Sequence, residues 1–272
     1  MRLRLAYDQV ANVCLTGSTG YIGSSLATAG HYSFEPITTL DELCSGCTVL
    51  HLAAATDGGN RETLLSNLEM DTYLADWAED NEARVVYASG NCVYANSIDC
   101  DVEDCLRPLD YYSASKIFGE TLLRERLRER CCILRIGDVF GVGQRHGALF
   151  NAIERLIVNR EPLVQIGDGL KLRTYIYIEE LVRQIAYAAA MISENRGSGT
   201  YNVGHAEALT VRDLLARLSE LADLPIDTSR AQADRSNLDV RSMRIAPLPG
   251  YTATFTMDTA LQDYVGQLKG RR

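Results

Sequence analysis

The stretch Val10–Gly23, VANVCLTGSTGYIG, decides the reading of this chain. An apolar, strand-like run to Thr16 passes directly into Gly17-x-x-Gly20-x-x-Gly23, and Tyr21–Gly30 continues as a helix rich in small residues. Glycine, lacking a Cβ, permits the tight turn and lets the backbone come close to a ligand. The helix that follows offers free N–H groups and a partial positive charge at its first turn, which suits a pyrophosphate. Three glycines alone would say little. Set between a strand and a helix they predict a dinucleotide-binding turn, with Gly17, Gly20, Tyr21, Ile22 and Gly23 as its contacts.

Working outward, Thr48–Ala54, Arg84–Ser89 and Cys131–Gly137 are short apolar runs, separated by helical spacing over Arg61–Glu79 and Tyr111–Arg130. Short apolar strands alternating with helices predict an α/β fold, a Rossmann-type doubly wound parallel sheet covered on both faces. From about residue 146 the alternation loosens. Helical patterns cover Ala148–Asn159, Glu179–Met191, Val211–Ala222 and Asp258–Leu268, and extended ones Pro162–Ile166, Leu172–Ile178 and Thr200–Val203.

Composition narrows the partners. The 272 residues carry a net charge of -9, which lacks the electrostatic footprint of a nucleic-acid binder. No apolar stretch reaches the length of a membrane span, and MRLRLAYDQVANVCL does not read as a signal peptide. The eight cysteines lie mostly in apolar runs, as reduced buried thiols do, so a cytoplasmic protein without disulfides is expected. Cys44 and Cys47 form a single CxxC, which without a second pair or nearby histidines reads as packing thiols, and no metal site is expected.

Two further constellations carry chemistry. In His51-Leu52-Ala53-Ala54-Ala55, small residues end a buried strand and leave room beside the expected cofactor, giving Leu52, Ala53 and Ala54 as contacts. His51 there reads as a core histidine. In Tyr112-Ser-Ala-Ser-Lys116, positions i and i+4 share a helix face. A free phenol titrates near ~10, too high for a base at neutral pH. A neighbouring ammonium together with a cationic nicotinamide favours the phenolate, making Tyr112 a general acid/base with Lys116 as its partner.

TGSTGYIG, HLAAAT, VVYASGNCVY, YYSASKIFGE, LRIGDVFG, GDGLKLRTYIYIEE and YNVG follow one another in an order that resembles the extended short-chain dehydrogenase/reductase superfamily, the NAD-dependent epimerases, dehydratases and ketoreductases. The resemblance covers residues from about 10 to 205. It implies a dinucleotide-binding domain over 1–145 and 173–205, a smaller substrate domain over 146–172 and 206–272, and a return of Tyr175–Gly204 to the sheet. It implies that Tyr112 and Lys116 are catalytic, with Lys116 also holding the nicotinamide ribose. Arg173 matches the arginine that binds the substrate pyrophosphate, with an ion pair to Glu179, Glu180 or Asp168 as the alternative. It implies NAD or NADP as cofactor, a nucleotide sugar as substrate, and a homodimer through Arg61–Glu79 and Tyr111–Arg130.

The chain departs from that pattern in four places. Gly90 stands where the family has a serine or threonine hydroxyl, so Ser89 is the candidate to supply it, and Ser89, Gly90 and Asn91 are expected beside the substrate. Asn91 and Cys92 replace the acidic pair of the dehydratases and argue against 4,6-dehydration. Asp138 replaces a common asparagine and is a poor neighbour for a phosphate unless it is paired. The segment between residues 24 and 48 is abbreviated. A gapless reading makes Asp41 the acid on the adenosine ribose, whereas a helix over Leu40–Leu43 leaves none. The expected activity is epimerisation or keto reduction of a nucleotide-linked sugar. The alternatives are reduction of a carbonyl substrate with no nucleotide, or a non-catalytic protein that binds the dinucleotide.

Overall fold

Six parallel strands form the central sheet in the computed structural model, which describes residues 13–29, 35–36, 45–56, 60–144, 148–231 and 240–271. β1 (Val13–Thr16) leads through α1 (Tyr21–Thr28) to a two-residue β2 (Glu35–Pro36). β3 (Thr48–His51), α2 (Arg61–Asp80) and β4 (Arg84–Gly90) follow. A 3-10 turn (Asn91–Tyr94) and β5 (Ser97–Cys100) precede α3 (Tyr111–Leu127), β6 (Cys131–Ile136) and β7 (Asp138–Phe140). Then come α4 (Ala148–Asn159), β8 (Leu163–Ile166), β9 (Leu172–Tyr177), α5 (Ile178–Ser193) and β10 (Gly199–Val203). The chain ends through β11 (Ala208–Thr210), α6 (Val211–Ala222), β12 (Ile226–Arg230), β13 (Arg241–Met243) and α7 (Met257–Gly270).

The sheet order is β10-β6-β4-β3-β1-β2, and every pairing is parallel. Burial on both faces explains the apolar runs: all six residues of β6 are buried, Arg135 among them. On one face Leu74, Trp77, Ala78, Leu123 and Leu127 of α2 and α3 pack against Val49, Val85, Tyr87 and Ile133. On the other, Leu26 of α1 and Leu181, Ile185 and Ala189 of α5 pack against Leu15, Leu50, Val86 and Leu134. Asn60 caps α2 by accepting the Thr63 N–H, and Asp110 with Ser113 forms a capping box on α3.

The expected Rossmann sheet is therefore present, and β10 returns to its edge beside β6. Tyr175–Tyr177 does not join that sheet; it lies in β9, within a second sheet ordered β11-β9-β13-β5, with β7 also on β9. β5, β7, β11, β12 and β13 have no counterpart in the sequence reading. Segments such as SIDC and RSM are too short and too mixed to show an alternation. Of the abbreviated stretch, the end of α1 and the β2 stub beside β1 are described before residue 45, and Cys44 lies outside the described residues. Among the described residues no helix is long and apolar enough to cross a membrane.

The approach to α7 is fastened to α5 by one buried carboxylate. Glu180 is fully buried and accepts the Tyr251 hydroxyl (2.8 Å) and the backbone N–H groups of Thr254 and Phe255 (3.0 Å each). Each donor left without a partner costs about 1–3 kcal/mol. Glu180→Ala is expected to lose more than about 2 kcal/mol on that ground, with Glu180→Gln milder, as measured by urea denaturation.

Candidate active site

A cavity of about 470 Å³ opens at the carboxyl ends of β1, β3, β4 and β6. α1 carries the chain from β1 to β2 on one side, and α2 carries it from β3 to β4 on the other. The cavity thus lies where the winding reverses, the usual ligand position in open α/β sheets.

The glycine turn is built by backbone contact. Gly17 has φ +74°, and a Cβ there would lie 2.6 Å from Ala53 N and 2.7 Å from Leu52 C. A Cβ on Gly23 would lie 2.1 Å from Gly17 O. Gly20 differs: its Cβ would meet only Gly17 O, at 3.4 Å, and would otherwise point into open space. No side chain caps the start of α1 and its first turn holds no acidic residue, so its N–H groups and its positive end face the cavity. This cradle fits the phosphates of a dinucleotide. Gly17, Gly20, Tyr21, Ile22, Gly23, Leu52 and Ala54 all line the cavity, and Ala53 supports it from behind Gly17. Asp41 lies outside the described residues.

Tyr112 and Lys116 enter the same cavity from the first turns of α3. Lys116 is buried, donates to Ala88 O (2.9 Å), and holds its Nζ 5.8 Å from the centre of the Tyr112 ring. Burial pushes the Lys116 ammonium below its usual range, opposed by Asp71, Cys92 and Glu120. Burial, then Cys92, Asp110 and Asp71, pushes the Tyr112 phenol above its usual range. In the protein alone, burial therefore favours the neutral Tyr112 phenol; the phenolate expected from the sequence also called for a cationic nicotinamide.

Ser89 and Gly90 close β4 at the cavity. The Ser89 hydroxyl donates to Glu120 Oε1 (2.5 Å), and Glu120 is ion-paired with the buried Arg135 (2.7 Å). Its proton is thus engaged by Glu120. Gly90 has φ -152° and ψ 166°, extended backbone open to any residue, and a Cβ there would meet Cys92 Sγ at 3.6 Å. A serine fits that position.

Asp138 lines the cavity and is doubly engaged, accepting from Asn91 Nδ2 (2.9 Å) and pairing with Arg173 Nε (3.2 Å). That pairing supplies the condition that an aspartate needs beside a phosphate. Arg173 thus pairs with Asp138, a partner outside the expected Glu179, Glu180 and Asp168, and is not among the residues that line the cavity. Parallel pairing of β7 with β9, Asp138 opposite Tyr175, brings the two side chains together. Sequence reasoning missed Cys92 as a cavity residue, Asp110, Gln144 and Arg241. Arg241 arrives on β13, which pairs with β9 and β5 across the fold, and no local motif announces it.

A doubly wound parallel sheet, a glycine turn at its switch point and a Tyr-x-x-x-Lys pair in the same cavity define an extended short-chain dehydrogenase/reductase. The model of the NAD dependent epimerase/dehydratase family matches residues 37–204, and the chain belongs to that family. The match begins beyond the glycine turn, so the turn's assignment stands on its own geometry. The chain is 26% identical to a UDP-glucose 4-epimerase of Azospirillum brasilense, over 79% of each chain. It is 25% identical to MoeE5 solved in complex with UDP-glucose and NAD, at a TM-score of 0.77, covering 96% of this chain and 99% of that one. The UDP-N-acetylglucosamine 4-epimerase of Methanobrevibacter ruminantium shares the fold at 19% identity and a TM-score of 0.78, over 96% and 99% of the two chains.

The three glycines divide into two kinds, and their variants should too. Gly20→Val is expected to fold with little change in melting temperature and to lose dinucleotide binding in calorimetry. Gly17→Val is expected to lose binding and stability together, because its side chain meets backbone at Ala53. Unchanged affinity in a folded Gly20→Val protein would remove the phosphate-cradle assignment.

Proposed function

We propose that this protein is an NAD- or NADP-dependent epimerase or ketoreductase acting on a nucleotide-linked sugar. The observation that carries the reading is that Tyr112 and Lys116 open into the same cavity as the glycine turn. Similarity to a UDP-glucose 4-epimerase and to MoeE5 with UDP-glucose and NAD supports the substrate class. Residues 1–145 with 173–205 would hold the cofactor, and 146–172 with 206–272 would serve the substrate.

When bound, the dinucleotide supplies hydride transfer at its nicotinamide. The first turn of α1 would hold the pyrophosphate, with Gly20 leaving it space. Lys116, steadied by Ala88 O, would hold the ribose. Tyr112 would give a proton to a sugar carbonyl oxygen or take one from the hydroxyl. As a neutral phenol it is ready to donate; acting as a base requires the added cation of an oxidised nicotinamide nearby. Asn91 and Cys92 offer no carboxylate for a dehydration, so that reaction is not proposed.

Two observations favour other readings. Arg173 is engaged by Asp138, which favours a carbonyl substrate without a diphosphate. Gly90, with Ser89 bound to Glu120, favours a protein that binds the dinucleotide without turnover. One set of measurements separates the three. Mass spectrometry of the denatured protein identifies a retained nicotinamide nucleotide, and turnover is then assayed with UDP-sugars and with simple ketones. The proposal expects UDP-sugar turnover, a loss of about 10²-fold or more in Tyr112→Phe, and equal or higher turnover in Gly90→Ser. Turnover that survives Tyr112→Phe would overturn the assigned acid/base.

The assembly would be a homodimer. α2 and α3 lie side by side and leave Leu65, Tyr73, Tyr111 and Phe118 exposed, apolar area that a two-fold contact would cover. Sedimentation is expected to give twice the 30.0 kDa chain mass. Phe118→Asp is expected to give the monomer; a wild-type monomer at micromolar concentration would refute the contact. A cytoplasmic location completes the reading.

A further inference from the structure

A line of buried polar groups that the proposed reaction does not use runs beneath the cavity, from the glycine turn to Lys116. Thr16, at the end of β1, places Oγ1 2.9 Å from His51 Nδ1 and receives the Ala53 N–H at 3.4 Å. The other ring nitrogen, His51 Nε2, lies 3.3 Å from Asp71 Oδ1 without a well-directed hydrogen bond. Asp71 Oδ2 accepts the Tyr87 hydroxyl at 2.8 Å. The Tyr87 ring stacks on His51, and the Lys116 ammonium sits 4.7 Å from the centre of that ring.

Asp71 lies on the face of α2 that Leu74, Ala75 and Ala78 turn towards the sheet, and it is as buried as they are. A carboxylate buried this deeply costs several kcal/mol in general unless it is paired and hydrogen-bonded. The surroundings are shaped to it. A Cβ on Gly119 of α3 would lie 2.4 Å from Asp71 Oδ2 and 2.2 Å from the Tyr87 hydroxyl. Asp71, Tyr87 and Gly119, from three different elements, are thus fitted to one another, and the Tyr87 ring lies between this cluster's carboxylate contact and Lys116, bonding Asp71 at its hydroxyl and meeting the ammonium at its centre.

We propose that Asp71 is a positioning residue of the site, the buried counter-charge that keeps Lys116 an ammonium and in place to hold the cofactor. The inference rests on the proposed role of Lys116. The other groups around the lysine leave this work to Asp71. Glu120 of α3 is committed to Arg135 and Ser89. Cys92, in the turn after β4, is a thiol pushed up to about 11 by burial and so uncharged at neutral pH. Tyr112 of α3 and Tyr87 of β4 are pushed up and are neutral phenols; His51 of β3 is pushed down by burial and is a neutral imidazole. The Asp71 carboxylate, bonded to the tyrosine whose ring meets the ammonium, is the charge that most opposes the effect of burial on Lys116.

The sign follows. Burial lowers the Lys116 pKa and Asp71 raises it, so neutralising Asp71 lowers it further. The ammonium is then lost at a lower pH, and dinucleotide affinity falls with it, while affinity well below that pH is retained.

The test is NAD and NADP binding by isothermal titration calorimetry from pH 6 to pH 10, with melting temperatures, on the wild type, Asp71→Asn, Tyr87→Phe and Lys116→Met. The expected result is an alkaline loss of affinity whose midpoint moves down by about one pH unit or more in Asp71→Asn. Tyr87→Phe keeps the carboxylate and is expected to lose thermal stability with the midpoint in place. Lys116→Met is expected to bind weakly at every pH. Should Asp71→Asn not fold, Asp71→Leu/Tyr87→Phe removes charge and donor together, with the same shift expected. Coincident midpoints in wild type and the uncharged variants would make Asp71 a packing residue only. A limb that persists in Lys116→Met would assign it to another group and overturn the proposal. If the wild type binds neither dinucleotide at any pH, the reading of the cavity fails first and the role of Asp71 fails with it.

Discussion

The contact between the turn after β1 and the end of β3 sets the rest of the structure. Gly17 lies so close to Leu52 and Ala53 that no side chain fits between the two backbones. Gly23 brings the first turn of α1 equally close to Gly17. Together they fix where α1 starts and aim its N-terminus across the carboxyl edge of the sheet. Had any of these backbones been held apart by a Cβ, the helix would begin further from β3. The cavity between the turn, β4 and α3 would then lose its floor. Gly20, which meets almost nothing, is the position where space rather than closeness is required.

β4 divides the chemistry. Tyr87 and Ser89 face α2 and α3, where two buried carboxylates stand in line: Asp71 beneath Tyr87, and Glu120 beneath Ser89. Each sits near a buried cation, Lys116 or Arg135, but the two pairs are built differently. Arg135 and Glu120 meet through Nε and Nη2 with both carboxylate oxygens engaged, and Tyr94 and Val102 O take up Nη1. Such a saturated pair is rigid and offers nothing to a ligand. Lys116, which lines the cavity, donates to one carbonyl and lies by the Tyr87 and Tyr112 rings, and an ammonium has three donors. The fold thus spends one ion pair on fixing α3 and keeps the other cation available at the site.

The sequence made the sheet legible because its strands are buried on both faces and carry apolar runs, and because β1, the turn and α1 are contiguous. Tyr112 and Lys116 were legible for a related reason: one turn of helix suffices to bring them together. What stayed hidden depended on long-range pairing. Arg241 reaches the cavity through the register of β13 against β9, and Asp138 meets Arg173 only because β7 runs beside β9. Ser89 illustrates the remaining gap. Alternation along β4 puts its side chain on the same face as Tyr87, but only the position of Glu120 on α3 decides where the hydroxyl goes. Asp71 was invisible because an aspartate in a mostly polar helix such as RETLLSNLEMDTYLADWAED looks like a solvated residue until the sheet is placed against it.

These observations bear on how a site with a glycine in place of a hydroxyl could still work. Desolvation is the dominant influence on Tyr112, Lys116, Cys92 and His51 alike, and in each it disfavours charge. A cavity of this kind does not stabilise a phenolate by itself; burial favours the neutral phenol, and in the proposed reaction an arriving cation would offset it. The same burial strengthens the electrostatic interactions brought in with a ligand. A bound oxidised nicotinamide would therefore shift the Tyr112 equilibrium far more here than beside an exposed tyrosine. Proton transfer would then depend less on a bridging hydroxyl at position 90 and more on the charge balance held between Lys116 and the carboxylate beneath it.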